Sequence, residues 1–144
     1  MRFLYESQIR EYLADAFLEE LVGSKAKIHT EVPVKRCGHD DGIADYLTLF
    51  GTLAIPVEAK LLASSSDYLQ RQLEKYLVAS ICRRDHRNIF GEWTASKLLL
   101  VDGIGVSTYE LLDSALRNTV SHTPWKTLAL LTRSELLSHL ALKH

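Results

Sequence analysis

Residues 42–61, GIADYLTLFGTLAIPVEAKL, predict two short apolar strands joined by a turn at residues 51–52. Each strand carries one acid, Asp45 early in the first strand and Glu58 near the end of the second. A buried carboxylate is costly unless it is paired, hydrogen-bonded or bound to a metal. Because Glu58 and Lys60 are two residues apart, their side chains share one face of the strand. Two carboxylates and a lysine in one place predict a site for a divalent cation and an anionic substrate.

This hairpin resembles the active-site motif of the PD-(D/E)xK nuclease superfamily, in its RecB-like or Holliday-junction-resolvase-like branch. The segment Gly-Ile-Ala-Asp45 precedes Val-Glu58-Ala-Lys60, and Ala44 stands where the superfamily usually has proline. The resemblance implies an α/β protein with a restriction-endonuclease-like αβββαβ core, in which helices flank a mixed central sheet. It also implies hydrolysis of phosphodiester bonds in DNA with Mg²⁺ or Mn²⁺, which Asp45, Glu58 and the carbonyl group of Ala59 would bind. Lys60 would position or deprotonate the attacking water and stabilise the pentavalent phosphate.

The size and composition of the chain favour one globular domain that spans residues 1–144. The formal net charge of -1 argues against binding of nucleic acid by bulk charge, so a nuclease would depend on a local basic patch, a metal or a partner. Two cysteines do not make a disulfide framework, which predicts a cytoplasmic protein with reduced thiols. No apolar run reaches the roughly 18 residues of a membrane span. Because related nucleases often pair, the resemblance allows a homodimer or another protein partner.

Residues 3–22 predict an amphipathic helix that ends at Gly23, a residue suited to a helix C-terminus. Its apolar face would contain Ile9, Leu13, Ala16 and Phe17. Glu6 falls on the same face, where it either interacts with the helix dipole or approaches the metal site as a third acid. The resemblance supports the second interpretation, with Glu11 and Glu20 as less favoured substitutes.

The other segments predict alternating strands and helices. Residues 27–34 alternate as a half-buried strand, and residues 35–42 are predicted to form a polar turn that contains Asp40 and Asp41. A helix over residues 67–84 and an apolar strand over residues 97–101 complete the predicted core. The sequence then predicts an extra C-terminal helix–strand–helix: a helix opened by the capping box Ser107–Glu110, a strand over residues 125–131 and a helix opened by the capping box Thr132–Glu135.

The predicted helix over residues 67–84 carries the candidate nucleic-acid contacts. Gln72 and Tyr76 are one helical turn apart, a pattern that resembles the RecB-like branch, in which these residues flank the active site. The alternative is a core tyrosine beside a surface glutamine. Lys75 and Arg83 belong to the most basic part of the chain and are candidates for phosphate contacts, unless this is only a solvated helix face.

Two other interpretations remain beside the metal-dependent nuclease. A zinc site is less favoured because its ligands lack the usual tight spacing; they would be Cys37, His39, Cys82 and His86. The same scaffold would also suit a catalytically inactive nucleic-acid-binding or assembly subunit with a vestigial metal site. The presence of Asp45, Glu58 and Lys60 together argues against such decay. A serine-hydrolase elbow and a phosphate-binding Gly-Lys-Ser/Thr loop are both absent from the sequence.

Overall fold

The first helix has a π turn in its middle. In the computed structural model it consists of α1 (Glu6–Ile9), a π turn (Arg10–Ala14) and α2 (Asp15–Val22). It ends as predicted at Gly23, which has a left-handed φ of 79° and donates its N–H to the carbonyl oxygen of Glu19 at 2.9 Å. A π turn accommodates one more residue than a regular turn, so the buried face shifts along the chain. From the last residue of the turn onward, the buried side chains of the helix are Ala14, Phe17, Leu18, Leu21 and Val22, while Ala16 is exposed.

Six strands form one mixed sheet in the order β1 to β6. The structure describes residues 3–23, 28–36, 39–50, 53–61, 71, 97–113 and 115–142. The strands are β1 (Ile28–Arg36), β2 (His39–Phe50), β3 (Leu53–Ala59), β4 (Lys97–Val101), β5 (Gly105–Leu112) and β6 (Ala115–Pro124). Neighbouring strands are antiparallel except β3 and β4, which are parallel. The protein is therefore a mixed α/β protein, and the prediction of a mixed central sheet is confirmed.

Parallel strands need a crossover connection between them. Here the connection spans residues 60–96, of which the structure describes Lys60, Leu61 and Arg71. Arg71 is helical and exposed. The predicted turn at residues 51–52 and the rest of the predicted helix over residues 67–84 lie outside the described residues. Within the described parts of the chain, no helix combines the length and the apolar composition that spanning a membrane requires.

The hydrophobic core lies between the sheet and the described helices. Alternate residues of β3, Ile55, Val57 and Ala59, belong to this core, together with Leu99 and Val101 of β4. Because successive side chains of a strand point to opposite faces, Glu58 and Lys60 lie on the other face of β3. The helices contribute these buried core residues: Ile9, Ala14, Phe17, Leu18, Leu21, Leu128 and Leu136. The other face of the sheet therefore carries the charged residues of the hairpin together with the buried side chains of Leu47, Leu98 and Leu100.

Three predictions of local structure are wrong. The segment that begins at Ser107 is strand β5 rather than a helix, because Val106 and Thr108 pair with both β4 and β6 and strand propensity overrides the capping signal. Residues 35–42 are strand rather than turn where they are described, and Lys35 pairs with Asp40. The C-terminal part is consequently strand–strand–helix–helix rather than helix–strand–helix.

The third error concerns residues 125–131, which were predicted as a strand. They begin instead with the short helix α3 (Trp125–Leu128), which follows the extended residue Pro124 and buries Leu128. Helix α4 (Arg133–His139) begins, as predicted, with a capping box in which Thr132 and Glu135 each accept a backbone N–H of the other. Arg133 Nε donates to the carbonyl oxygen of Leu21 at 3.0 Å. The C-terminal helices therefore pack on the first helix and belong to the core.

Gly105 lies where β4, β5 and β6 come close together. A Cβ atom there would overlap with the carbonyl oxygen of Thr123 and would lie 2.9 Å from Pro124 Cα. We expect Gly105→Ala to lower the free energy of unfolding by an amount near the upper end of the range of roughly 1–3 kcal/mol that overpacking costs. Urea denaturation measures this decrease. Gly103→Ala is the matched control, since its Cβ would meet only the side-chain ends of Ile9 and Phe3, at 3.3 Å. Equal losses in the two variants would contradict the close approach at Gly105.

Candidate functional site

Asp45 and Glu58 meet where the ladder between β2 and β3 ends. The last paired positions at this end are Tyr46 and Val57. Beyond them, the backbone N–H of Asp45 donates to Glu58 Oε1 at 3.3 Å, and the backbone N–H of Ala59 donates to Asp45 Oδ2 at 2.8 Å. Each carboxylate thus accepts a backbone N–H of the other strand. Elsewhere in the ladder a backbone carbonyl oxygen accepts such an N–H. This reciprocal pair brings together the two acids that the sequence predicts as metal ligands.

Lys60 lies beside the same pair at the end of β3. Its backbone N–H donates to the carbonyl oxygen of Val101 at 2.8 Å, which extends the parallel pairing with β4 by one residue. Its Nζ atom is 3.9 Å from Glu58 Oε2. The Glu58 side chain is only 3% exposed, and that of Lys60 is 13% exposed. A carboxylate buried to this degree needs a nearby cation and hydrogen-bond donors, and Lys60 and the Asp45 N–H supply them.

Arg10 is a site residue that the sequence interpretation missed. It begins the π turn of the first helix, and its Nη1 atom is 3.9 Å from Asp45 Oδ1 and 3.7 Å from Glu31 Oε1. Its guanidinium also lies over the Tyr46 ring, 5.2 Å from the ring centroid. Burial opposes the positive charge, but the interactions with Tyr46, Asp45 and Glu31 outweigh it and raise the pKa of Arg10. The site therefore carries two cations, Arg10 and Lys60, on either side of the two acids.

Tyr46 fixes the first helix against β2. Its side chain is fully buried, its hydroxyl donates to the carboxylate of Asp15, and it also contacts the carbonyl oxygen of Arg10 at 3.5 Å. Burial, and then the hydrogen bond to Asp15, raises the pKa of Tyr46. The phenol therefore stays protonated at neutral pH. Its role is to hold the Arg10 turn beside Asp45, rather than to exchange a proton.

The side chains at this place fit a magnesium site of few protein ligands. Within the part of the chain that the structure describes, no group of three or more His, Cys, Asp or Glu side chains is placed to hold a metal. Magnesium is commonly held by one or two carboxylates, with waters and substrate phosphates completing its shell. Asp45 and Glu58 provide two such carboxylates, linked through Asp45 N–H, and Ala59 follows directly with its carbonyl group. The donor set suits a hard cation that also binds phosphate.

Of the other predicted site residues, the structure describes Glu6 and His39. Glu6 is exposed in the first turn of α1, and no hydrogen bond or ion pair among the described residues joins it to the two acids. Its role as a third acid stays a prediction. These candidates lie outside the described residues: Gln72, Lys75, Tyr76 and Arg83 of the predicted helix, and Cys37, Cys82 and His86 of the zinc alternative. His39 is the first residue of β2.

A second polar cluster lies at the end of β4 and has a structural explanation. Asp102 Oδ1 accepts the backbone N–H groups of Ile104 and Gly105 at 2.8 and 2.9 Å. The same oxygen is 2.9 Å from His122 Nε2. Trp125 Nε1 donates to the carbonyl oxygen of Asp102 at 2.9 Å. Asp102 thus holds the tight turn between β4 and β5, which is the Asp-Gly-Ile-Gly segment of the sequence.

Comparisons of the chain with protein-family models, with curated proteins and with solved structures find no match. The fold that the structure defines is a mixed α/β fold with a six-stranded mixed sheet. The site that it defines is a pair of carboxylates on adjacent strands, with a lysine and an arginine next to them.

Proposed function

We propose that the protein is a metal-dependent nuclease of the PD-(D/E)xK superfamily that hydrolyses phosphodiester bonds in DNA. The observation that supports this best is the reciprocal contact of Asp45 and Glu58 across the ends of β2 and β3, with Lys60 Nζ 3.9 Å from Glu58. The superfamily motif places two acids and a lysine on these two strands. A purely apolar hairpin would need none of them, and burial of Glu58 has a cost that a functional role explains.

The order of elements supports the same assignment. A helix, three antiparallel strands and a fourth strand parallel to the third occur in the order of the αβββαβ core. The second helix of that core would lie in the connection between β3 and β4, of which the described residue Arg71 is helical. Strands β5 and β6 and helices α3 and α4 are additions to this core.

Each residue of the site has a distinct role in the proposed reaction. Asp45, Glu58 and the carbonyl group of Ala59 would hold the divalent cation, Mg²⁺ or Mn²⁺. When bound, the cation supplies Lewis-acid polarisation and a stronger nucleophile. The Ala59 N–H holds the Asp45 carboxylate in place through a 2.8 Å hydrogen bond. Lys60 would orient the attacking water and stabilise negative charge that develops on the phosphate.

The proposal is tested by a cleavage assay and a binding measurement on the same preparation. Linear, circular, branched and single-stranded DNA, with a matched RNA, are incubated with Mg²⁺ or Mn²⁺ and with a chelator. We expect metal-dependent cleavage of at least one DNA substrate and none with chelator. Calorimetry with Mn²⁺ or Ca²⁺ is expected to show binding that Asp45→Asn abolishes.

A second candidate is a catalytically inactive nucleic-acid-binding or assembly subunit. One observation favours it: both carboxylates already accept backbone N–H groups, so they have a structural role without a metal. Absence of metal binding and of cleavage in these measurements would support this candidate and exclude the nuclease. Binding of Mn²⁺ together with metal-dependent cleavage would exclude it.

A further inference from the structure

Arg10 is placed to bind an anion, and two carboxylates compete for it. Its Nη1 atom is 3.7 Å from Glu31 Oε1 and 3.9 Å from Asp45 Oδ1. Charge-assisted hydrogen bonds are shorter, at about 2.7–2.9 Å, so neither contact is a direct hydrogen bond. The planar guanidinium therefore retains N–H donors for a ligand, although it is attracted to both acids.

The Tyr46 ring supports the guanidinium of Arg10 on one face. Its guanidinium lies over the ring of Tyr46, which is itself fully buried and hydrogen-bonded to Asp15. Its side chain is only 27% exposed. A guanidinium held in this way loses less side-chain freedom when it binds a ligand, and its fork matches two oxygens of a phosphate group.

Glu31 is the more exposed of the two acids beside Arg10. The pairing of Thr30 with Tyr46 and of Val32 with Ala44 puts Glu31 directly across from Asp45 on the neighbouring strand. Its side chain is 71% exposed, whereas Asp45 is held by the Ala59 N–H. Glu31 also has a φ of 52°, a region that residues other than glycine rarely occupy within a strand. Such outliers persist only where the surrounding structure holds them, and they occur preferentially at functional sites.

We propose that Arg10 binds a phosphate group of the nucleic-acid substrate, and that Glu31 competes with this phosphate for the guanidinium. The inference rests on the proposed function, since it names a substrate contact of the same site. When the substrate binds, Arg10 would give up its long ion pair with the exposed Glu31 carboxylate. It would form two hydrogen bonds to a phosphate group instead. Glu31 thereby weakens the binding of anions that contact Arg10 without also contacting the metal and Lys60.

The test measures the affinity of labelled duplex and single-stranded oligonucleotides for the full chain in Ca²⁺ at several salt concentrations. Arg10→Gln is expected to weaken binding about tenfold, because it removes a charged hydrogen-bonding partner. It should also lower the slope of log affinity against log salt by about 1. Glu31→Gln is expected to strengthen binding roughly two- to fivefold, the scale of an exposed ion pair. The double variant should bind no more tightly than Arg10→Gln alone.

Two matched controls separate this contact from a change in net charge. Arg117→Gln removes an exposed arginine of β6, at the far edge of the sheet, and Asp113→Asn removes an exposed acid between β5 and β6. Neither control is expected to change affinity as much as its counterpart. Arg10→Lys keeps the charge but not the fork, so it should keep the salt slope and lose part of the affinity.

The outcomes distinguish this inference from the nuclease proposal. Cleavage and binding that Arg10→Gln leaves unchanged, or an effect of Glu31→Gln no larger than that of Asp113→Asn, would overturn the inference alone. Binding that depends on Arg10 without metal-dependent cleavage would overturn the nuclease and keep the contact. A protein that binds neither oligonucleotide would overturn both.

Discussion

Replacement of Asp45 by asparagine is expected to lower metal-dependent DNA cleavage by more than about 100-fold, because loss of outer-shell partners alone costs 10–100-fold. Asparagine has nearly the same shape, and its amide oxygen can still accept the Ala59 N–H that Asp45 accepts at 2.8 Å. The variant therefore removes the negative charge that a hard cation needs, without removing the link between the strands. Initial cleavage rates and Mn²⁺ calorimetry measure the effect, and the melting temperature reports whether the fold is kept.

Asp113→Asn is the matched control for this substitution. Asp113 is exposed between β5 and β6, and its φ of 51° lies in the region that asparagine tolerates well. The same chemical change there should leave both cleavage and metal binding unaltered. Retention of cleavage by Asp45→Asn would remove Asp45 from the set of metal ligands. Equal losses in both variants would indicate a general effect of charge.

The contact between Asp45 and Glu58 could be predicted from the sequence because it depends on local geometry. The predicted two-residue turn at residues 51–52 implies a hairpin register in which Phe50 pairs with Leu53, and these two residues do pair. Counting back along both strands from that pair puts Asp45 opposite Glu58. The strand over residues 97–101, the end of the first helix at Gly23 and the capping box at Thr132 were likewise predicted from short-range patterns, and they are confirmed.

The position of Arg10 could not be predicted because it depends on the π turn. The regular helical period applied to residues 3–22 predicts a buried face of Ile9, Leu13, Ala16 and Phe17. Ile9 and Phe17 are buried and Leu13 is partly buried, but the extra residue of the turn buries Ala14 and leaves Ala16 exposed. No local residue pattern signals such a turn. The approach of Arg10 to Asp45 and Tyr46 becomes visible only when the helix is packed on the sheet.

The strand at residues 105–112 shows how long-range pairing overrides a local signal. Ser107 and Glu110 have the spacing of a capping box, yet both lie in β5, where Ser107 pairs with Leu100 and Glu110 with Lys97. Two hydrogen-bonded neighbours stabilise the extended form beyond what a single helix cap contributes, which is about 1 kcal/mol. The sequence contained strand-forming residues here, Val106, Thr108 and Tyr109, but it did not indicate which strands they would join.

Replacement of Lys60 by methionine is expected to lower the cleavage rate by roughly 10²–10³-fold, the cost of losing one group that stabilises transition-state charge. Metal binding should be retained, because Asp45 and Glu58 are unchanged and a nearby positive charge is removed. Methionine keeps most of the apolar stem of a side chain that is only 13% exposed. The expected result is therefore a loss of rate with calorimetric affinity for Mn²⁺ equal to or greater than that of the unsubstituted protein.

Lys97→Met separates this catalytic effect from the loss of a paired lysine. Lys97 also lies on a strand of the sheet and is partly buried, and its Nζ is 3.1 Å from Glu110 Oε1. Its removal should lower stability, because Nζ also donates to the carbonyl oxygen of Ala141, but it should leave the cleavage rate of the folded protein unchanged. A loss of Mn²⁺ binding in Lys60→Met would mean that the lysine maintains the geometry of Glu58 rather than acting on the phosphate. Equal rates in the two lysine variants would exclude a direct role for Lys60, because only Lys60 lies beside the two acids.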